Sequence, residues 1–364
     1  MMRILHLLFI LVVSSCTPAA TSLQQSDFVL PSDENIRITG RVLRTADSVE
    51  IYWSGTSVLM RFSGQEVKAI MKDAHGKNYF NVVIDGDSIR HISVDSVRKH
   101  YTLASGLPPG EHTVELIKRN EWDKGSTWFY GIELSEAELL PLPAPNKRVI
   151  EFYGNSITAG YAIDDTTGGD SPDSLNTNNY YTYAARAARH FNADLYCTVK
   201  SGIGITVSWF PLIMPELYDR LNPEDPDSKW NFNSVTPQVV VINLLQNDSW
   251  LVNMPDHPSF KARFGNKAPD GKQIISAYKS FVKKIRDVYP SANIICALGS
   301  MDATKAGSPW PGYVETAVKE LNDKKIHTIF FPYTNKPGHP RRDDNKKMAE
   351  QLIRFIEERA MFQD

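Results

Sequence analysis

The hydrophobic pattern changes period at a run of prolines, and that change limits what the chain can fold into. Upstream of Pro141-Leu142-Pro143-Ala144-Pro145 the apolar residues come in short stretches of period two; downstream they form continuous runs separated by helical patterns. Alternation gives a strand buried on one face, whereas a continuous β-branched run gives a strand buried on both. Two kinds of sheet are therefore expected. The 364 residues exceed the ~250–300 over which a single core is sustained, which also argues for two domains.

In the upstream part, Val49, Ile51 and Trp53 alternate with polar partners before Ser54-Gly55. Phe80, Val82 and Ile84 do so before Asp85-Gly86, a hairpin-type dipeptide. Pro108-Pro109-Gly110 introduces a strand over 113–118, and 128–134 reads as another. Short strands with glycine turns and no helical stretch predict an all-β jelly roll or sandwich over residues 31–140. It holds no catalytic constellation, and Trp122 and Trp128 are read as packing residues first and sugar contacts second. Residues 141–147 form a stiff proline-rich linker.

From residue 148 to 364, strands are expected at 149–153, 195–199, 239–245, 293–298 and 326–333. Helices are expected at 180–191, 274–288, 313–321 and 346–358. The alternation predicts an α/β domain, a parallel sheet between two helical layers. In such a sheet the segments that follow the strands gather at one edge, where ligands bind. The first strand ends in Gly154-Asn155-Ser156, the second in Ser201-Gly202-Ile203-Gly204 and the third in Gln246-Asn247-Asp248; the last is followed by Gly338-His339-Pro340. Taken singly these are an N-cap serine, a glycine turn, a helix cap and a residue ahead of the final helix. Together they supply a nucleophile, a base and donors for an oxyanion, the inventory of ester hydrolysis.

The remaining composition sets the address and excludes other classes. With 40 basic and 42 acidic residues there is no electrostatic footprint for nucleic acid. Arg3 and the apolar run 4–13, broken only by His6, are too short to span a bilayer as a permanent helix and end in Val13-Ser14-Ser15-Cys16. This is similar to a bacterial lipoprotein signal, which implies a signal peptide at 1–15, a lipidated Cys16 and a tether over 16–30. The protein is then expected at the cell envelope, on the periplasmic side or the cell surface, with the membrane as a partner through its anchor. Cys197 and Cys296 each lie in an apolar run and read as buried free thiols.

The four blocks resemble those of the SGNH/GDSL hydrolases, which contribute Ser, Gly, Asn and His in this order. More closely the chain resembles carbohydrate esterase family two, in which a β-sandwich precedes the hydrolase domain. The resemblance extends through Gly110-Glu111-His112-Thr113-Val114, Lys118-Arg119-Asn120-Glu121, Glu151-Phe152-Tyr153-Gly154-Asn155-Ser156 and Met214-Pro215-Glu216-Leu217-Tyr218. It implies a three-layer SGNH domain behind a jelly roll, and an esterase that removes acetyl groups from plant-type polysaccharides or oligosaccharides without metal or organic cofactor. Ser156 is then the nucleophile, His339 the base, and Asn247 and a second-block glycine the oxyanion donors, with Gly204 preferred over Gly202. Trp209, Trp250 and Trp310 are placed near the sheet edge, either stacking on a pyranose or packing in the core.

Three departures stand out. Asn155 replaces the usual Asp, Leu245-Gln246-Asn247-Asp248 replaces Gly-x-Asn-Asp, and Lys336 occupies the position of the triad acid. The family includes enzymes with a Ser-His dyad whose imidazole is oriented by a backbone carbonyl, so a dyad is expected here. Asp343 and Asp344 are the alternative acids, though better read as helix-start residues, and His257 is the reserve base. Competing with the acetyl esterase are a glycan-binding lipoprotein that has lost catalysis and an SGNH esterase acting on another acyl glycoside.

Overall fold

The computed structural model describes residues 27–362. The signal segment and Cys16 lie outside the described residues. In chain order the first domain contains β1 (Asp27–Val29), β2 (Ile36–Thr39), β3 (Val42–Arg44), β4 (Val49–Ile51), β5 (Ser57–Ser63), β6 (Val67–Asp73), β7 (Asn78–Ile84), β8 (Ser88–Val94), β9 (Lys99–Ala104), β10 (Glu111–Lys118), β11 (Thr127–Leu134) and β12 (Glu138–Leu140). They make two antiparallel six-stranded sheets, ordered β3-β4-β11-β6-β9 with β1 on β11, and β12-β5-β10-β7-β8 with β2 on β5. Along β5 every second residue is buried, and Val58, Met60 and Phe62 meet Met71, Phe129 and Ile132 of the facing sheet in one core. Asp85 and Gly86, both at positive φ, turn β7 into β8. The sandwich begins with Asp27, which pairs with Leu134 within the last residues of the 16–30 segment.

The second domain carries a parallel sheet of β13 (Arg148–Gly154), β14 (Ala193–Val199), β15 (Val239–Asn243), β16 (Asn293–Leu298) and β17 (Ile326–Phe330), in the order β14-β13-β15-β16-β17. Its helices are α1 (Ser156–Ala159), α2 (Tyr183–His190), α3 (Met214–Leu217), α4 (Gln246–Leu251), α5 (Pro258–Phe264), α6 (Gly271–Val288), α7 (Trp310–Leu321) and α8 (Arg342–Glu358). Successive residues of a strand point to opposite faces, and both faces are covered. Val240, Ile242, Ile294 and Cys296 pack under α6 and α7, while Val239, Val241, Ile295 and Ala297 pack under α2 and α8. Cys197 and Cys296 are free and buried, and burial pushes both thiols up to about 12. Among the described residues no helix is long and apolar enough to cross a membrane.

The two domains share a core and a buried ion pair. Tyr52 and Trp53 of the sandwich belong to the α6/α7 core, and the Trp53 indole donates to the Leu221 carbonyl (2.8 Å). Arg41, also from the sandwich, donates to Glu151 of β13 (2.7 Å), to the Tyr153 hydroxyl (3.0 Å) and to the carbonyls of Tyr218 and Arg220. Both partners of the pair are about 2% exposed or less. The sandwich thus grips the strand that delivers Ser156.

Candidate active site

Ser156 is presented by a turn that tolerates little substitution. The Asn155 side chain accepts the Ile157 N–H (3.0 Å), capping α1. A Cβ at Gly154 would lie 2.2 Å from Thr158 Oγ1, so the helix folds back tightly only over a glycine. Asn155 therefore keeps the turn chemistry of the Asp it replaces. The Ser156 hydroxyl lies 2.8 Å from His339 Nε2, although the two are 183 residues apart in sequence.

The other side of the imidazole corrects the dyad expectation. His339 Nδ1 lies 2.7 Å from Asp170 Oδ2, the His339 backbone N–H donates to Asp170 Oδ1 (3.0 Å), and Arg341 donates to the same oxygen (3.1 Å). The acid comes from the loop between α1 and α2, not from the segment around the histidine. The hydrogen bond from His339, with the backbone N–H and Arg341 adding to it against burial, holds the Asp170 carboxyl well below the usual carboxylate range. A Cβ at Gly338, which has φ +78°, would meet Asp170 Oδ1 at 2.7 Å, so the approach of this loop also depends on a glycine. Lys336 points to Asp344 (2.8 Å), and Asp344 accepts the Arg341 N–H at the start of α8. Asp344 is thus a helix-start residue, and Asp343 is exposed.

The oxyanion donors also differ in part from expectation. The Gly204 N–H donates to Ser208 Oγ (2.9 Å), and a Cβ there would lie 2.0 Å from the Val207 carbonyl; Gly204 is a packing glycine of the loop. Gly202, at φ +82°, lines the pocket with Ser156, Asn247 and His339. Among the described residues neither the Ser156 nor the Gly202 backbone N–H has a protein acceptor. The Asn247 amide is fixed from two sides: Oδ1 accepts the Trp209 indole N–H (3.1 Å) and Nδ2 donates to the Ile203 carbonyl (2.8 Å). An amide nitrogen carries two hydrogens, so one remains for the pocket. Three donors thus remain on residues that line one pocket.

The pocket has a volume of about 380 Å³, and Trp209 and Trp250 form part of its wall. Trp250 is held by its indole N–H on Asp302 (2.8 Å). Trp310 does not reach the pocket: it is 6% exposed and packs in the α6/α7 core at the start of α7, where the apolar environment accounts for it. His257 is not a base either, because its Nδ1 accepts the Ser259 N–H (3.2 Å) as the cap of α5. Trp122 is half-buried against the shared core, and Trp128, on β11, packs under Lys72.

Sequence reasoning missed Asp170, Tyr161 and Lys200. The Tyr161 ring meets the His339 imidazole edge-on at 5.0 Å. Burial opposes the charge on Lys200, but Glu121 and Asp123 outweigh it and raise its pKa above the ordinary lysine value. Asp170 had one faint signal, the polar stretch Asp164-Asp165-Thr166-Thr167-Gly168-Gly169-Asp170 between two apolar helices. Nothing in it distinguishes the acid from Asp165, whose carboxylate shapes the loop by accepting the N–H groups of Thr167 and Ser171 (both 2.7 Å).

A serine, an imidazole and a carboxylate in hydrogen-bonded series at the carboxyl edge of a parallel sheet, facing three donors, define a serine hydrolase of the SGNH type. Residues 38–143 match the family model "Carbohydrate esterase 2 N-terminal". A family two carbohydrate esterase from Clostridium thermocellum, solved in complex with cellohexaose, is 32% identical with a TM-score of 0.80, covering 89% of this chain and 99% of that one. The chain belongs to carbohydrate esterase family two. It is also 33% identical over 315 residues to the cellulase/esterase CelE of Acetivibrio thermocellus, matching 84% of this chain but spanning only 37% of that longer protein. An acetylxylan esterase/glucomannan deacetylase of Cellvibrio japonicus is 24% identical, with 93% of each chain covered.

Proposed function

We propose that this chain hydrolyses acetyl esters on plant-type polysaccharides or oligosaccharides, acetylated xylan and glucomannan being the first candidates. The observation that carries the reading is the continuous series Asp170–His339–Ser156 opening into a pocket walled by Trp209 and Trp250. Ser156 Oγ attacks the acetyl carbonyl while its proton passes to His339 Nε2. The oxyanion is received by the N–H groups of Ser156 and Gly202 and by the Asn247 amide. Collapse returns the proton to the departing sugar oxygen, leaving an acetyl-serine. Water, deprotonated by His339, then releases acetate and restores the serine. Asp170 keeps Nδ1 protonated and stabilises the imidazolium that forms.

A hydrolysis panel of acetylated xylan, acetylated glucomannan and simple acetyl esters, with fluorophosphonate labelling of Ser156, tests the reading. Acetate release and labelling are expected; the absence of both would leave the glycan-binding alternative. That alternative draws on the substituted third block and on the missing acid at Lys336, and the Asp170–His339 hydrogen bond supports the esterase reading against the second of these. The proposal extends to the address: Cys16 carries a lipid that holds the enzyme at the cell envelope, supported by the apolar run 4–13 and the small residues before the cysteine. Wild type should partition with membranes and Cys16→Ser should not.

A further inference from the structure

The motif Lys118-Arg119-Asn120-Glu121 runs from the last residue of β10, an interior strand of its sheet, to the flank of the active site. Glu121 is 3% exposed. Both of its oxygens are taken by one residue of the neighbouring domain: Oε2 accepts the Ser201 N–H, and Oε1 accepts the Ser201 hydroxyl at 2.5 Å. The Lys200 ammonium stands 3.9 Å from Oε2 and 3.0 Å from Asp123. A carboxylate taken out of water costs several kcal/mol unless its partners are well placed, so this contact is not filler between domains. Ser201 is followed by Gly202, which has a left-handed backbone, lines the pocket and has no protein acceptor for its N–H among the described residues. Glu121 does not line that pocket.

We propose that Glu121 is a positioning residue for the oxyanion site: the sandwich domain, through this carboxylate, holds Ser201 so that the Gly202 N–H meets the developing negative charge. The hydrolase domain closes the turn, with the Ile203 N–H on the Lys200 carbonyl (3.2 Å) and the Trp209 N–H on the Gly202 carbonyl (3.0 Å), and the Glu121 carboxylate adds the hold on Ser201, whose peptide carries the donor. Gly202 sits on a loop beyond the end of β14, where sheet hydrogen bonds no longer determine the backbone. The inference rests on the esterase reading of the site, in which the Gly202 N–H is a donor.

The test uses the full chain and the variants Glu121→Ala, Glu121→Gln and Ser201→Ala with a soluble acetyl ester. Losing one oxyanion donor costs ~10²–10³ in kcat, and a misdirected donor should cost part of that. Glu121→Ala is expected to lower kcat by roughly 10–100-fold with KM within about threefold. Glu121→Gln should recover most of the loss, because its amide oxygen still accepts the Ser201 N–H and its nitrogen still reaches the hydroxyl. Ser201→Ala, which keeps the backbone bond, should fall by only a few-fold. A kcat for Glu121→Ala within twofold of wild type overturns the proposal, as does a loss appearing wholly in KM. If Glu121→Ala fails to fold, Ser201→Ala decides: a kcat and a Gly202 amide-exchange rate both equal to wild type overturn it. Amide exchange at Gly202 gives a reading independent of turnover. It should be faster in folded Glu121→Ala than in wild type, and equal rates overturn the proposal even if the wild type hydrolyses no ester, an outcome that would count against the esterase reading alone.

Discussion

Along β15 all five residues are buried, whereas along β5 of the sandwich buried and half-buried residues alternate, and the two domains contribute to the site as differently as they pack. The parallel sheet sends its strand ends to one edge, so Ser156 is placed by the register of β13 between β14 and β15. The groups that line the pocket all come from this domain. The sandwich has no such edge, yet two side chains at the end of β10 reach the loops that the sheet does not control. Glu121 holds the Gly202 loop, and Arg119 donates to Asp164 (3.0 Å) and to the Leu175 carbonyl (2.6 Å), bracing the loop that carries Asp170. A strand end is oriented by its sheet; a loop needs a second body to hold it.

The largest effect that would break this division lies at the nucleophile. Ser156→Ala should lower turnover by at least ~10⁴-fold while leaving the melting temperature almost unchanged, since the hydroxyl adds little packing. Near-wild-type acetate release would remove Ser156 from the mechanism. Next, Asp170→Asn should lower kcat by roughly 10²–10⁴-fold, against a few-fold at most for Asp343→Asn. Comparable losses in the two variants would mean that the loop acid is not the one that orients His339. Asp170 should add no ionisation of its own to the pH–rate profile above about pH 4, the ordinary carboxylate value, because its folded pKa is depressed. By the same sign its pairing stabilises the fold above that value and is lost as pH falls toward the folded pKa.

The sequence made the sheet legible because burial on both faces leaves continuous apolar runs: 293–298 and β16 coincide, and β13, β14 and β15 fall within two residues of expectation. Ser156, Asn247 and His339 were legible for the same reason, each following a recognisable strand. Asp170 was not, and Glu121 was visible only within the block Lys118-Arg119-Asn120-Glu121 and without a role, because loops carry no period and their partners lie 169 and 80 residues away. The pattern of the four blocks points to an acid three residues before His339, where Lys336 stands. Trp310 was misplaced because residues 308–312, Ser-Pro-Trp-Pro-Gly, read as a loop although the helix already begins at Trp310. Proline at the first turn of a helix is no obstacle to helix formation.

The joint between the domains can be loosened without touching the chemistry. Arg41→Met should destabilise the protein by about 3–5 kcal/mol, because Glu151 is left buried without its partner. The change should appear as a lower denaturant midpoint, with kcat per folded molecule close to wild type. Replacing both partners, Arg41→Met with Glu151→Leu, should recover much of the loss. A double variant no more stable than the single one would mean that the hydrogen bonds from Arg41 to the Tyr218 and Arg220 carbonyls, rather than the unpaired charge, carry the effect.

The smallest effect should come from Leu245, the residue that departs from the Gly-x-Asn-Asp pattern. Its φ is +77°, a left-handed conformation, and its side chain is fully buried in the α6/α7 core. Two terms oppose each other in Leu245→Gly. Releasing a non-glycine residue from the left-handed region gains about 1–2 kcal/mol. Removing a fully buried leucine costs about 2–5 kcal/mol from lost burial and the cavity left behind, and the glycine adds up to ~1 kcal/mol of chain entropy. The burial side wins, so the variant should be less stable by roughly 1–4 kcal/mol. Turnover below the melting transition should stay within a few-fold, because Asn247 remains clamped between Trp209 and the Ile203 carbonyl. A variant as stable as wild type would show that strain at this turn equals the packing it secures, and a loss of activity beyond ~10-fold would show that Leu245, and not only the Trp209 clamp, directs the oxyanion amide.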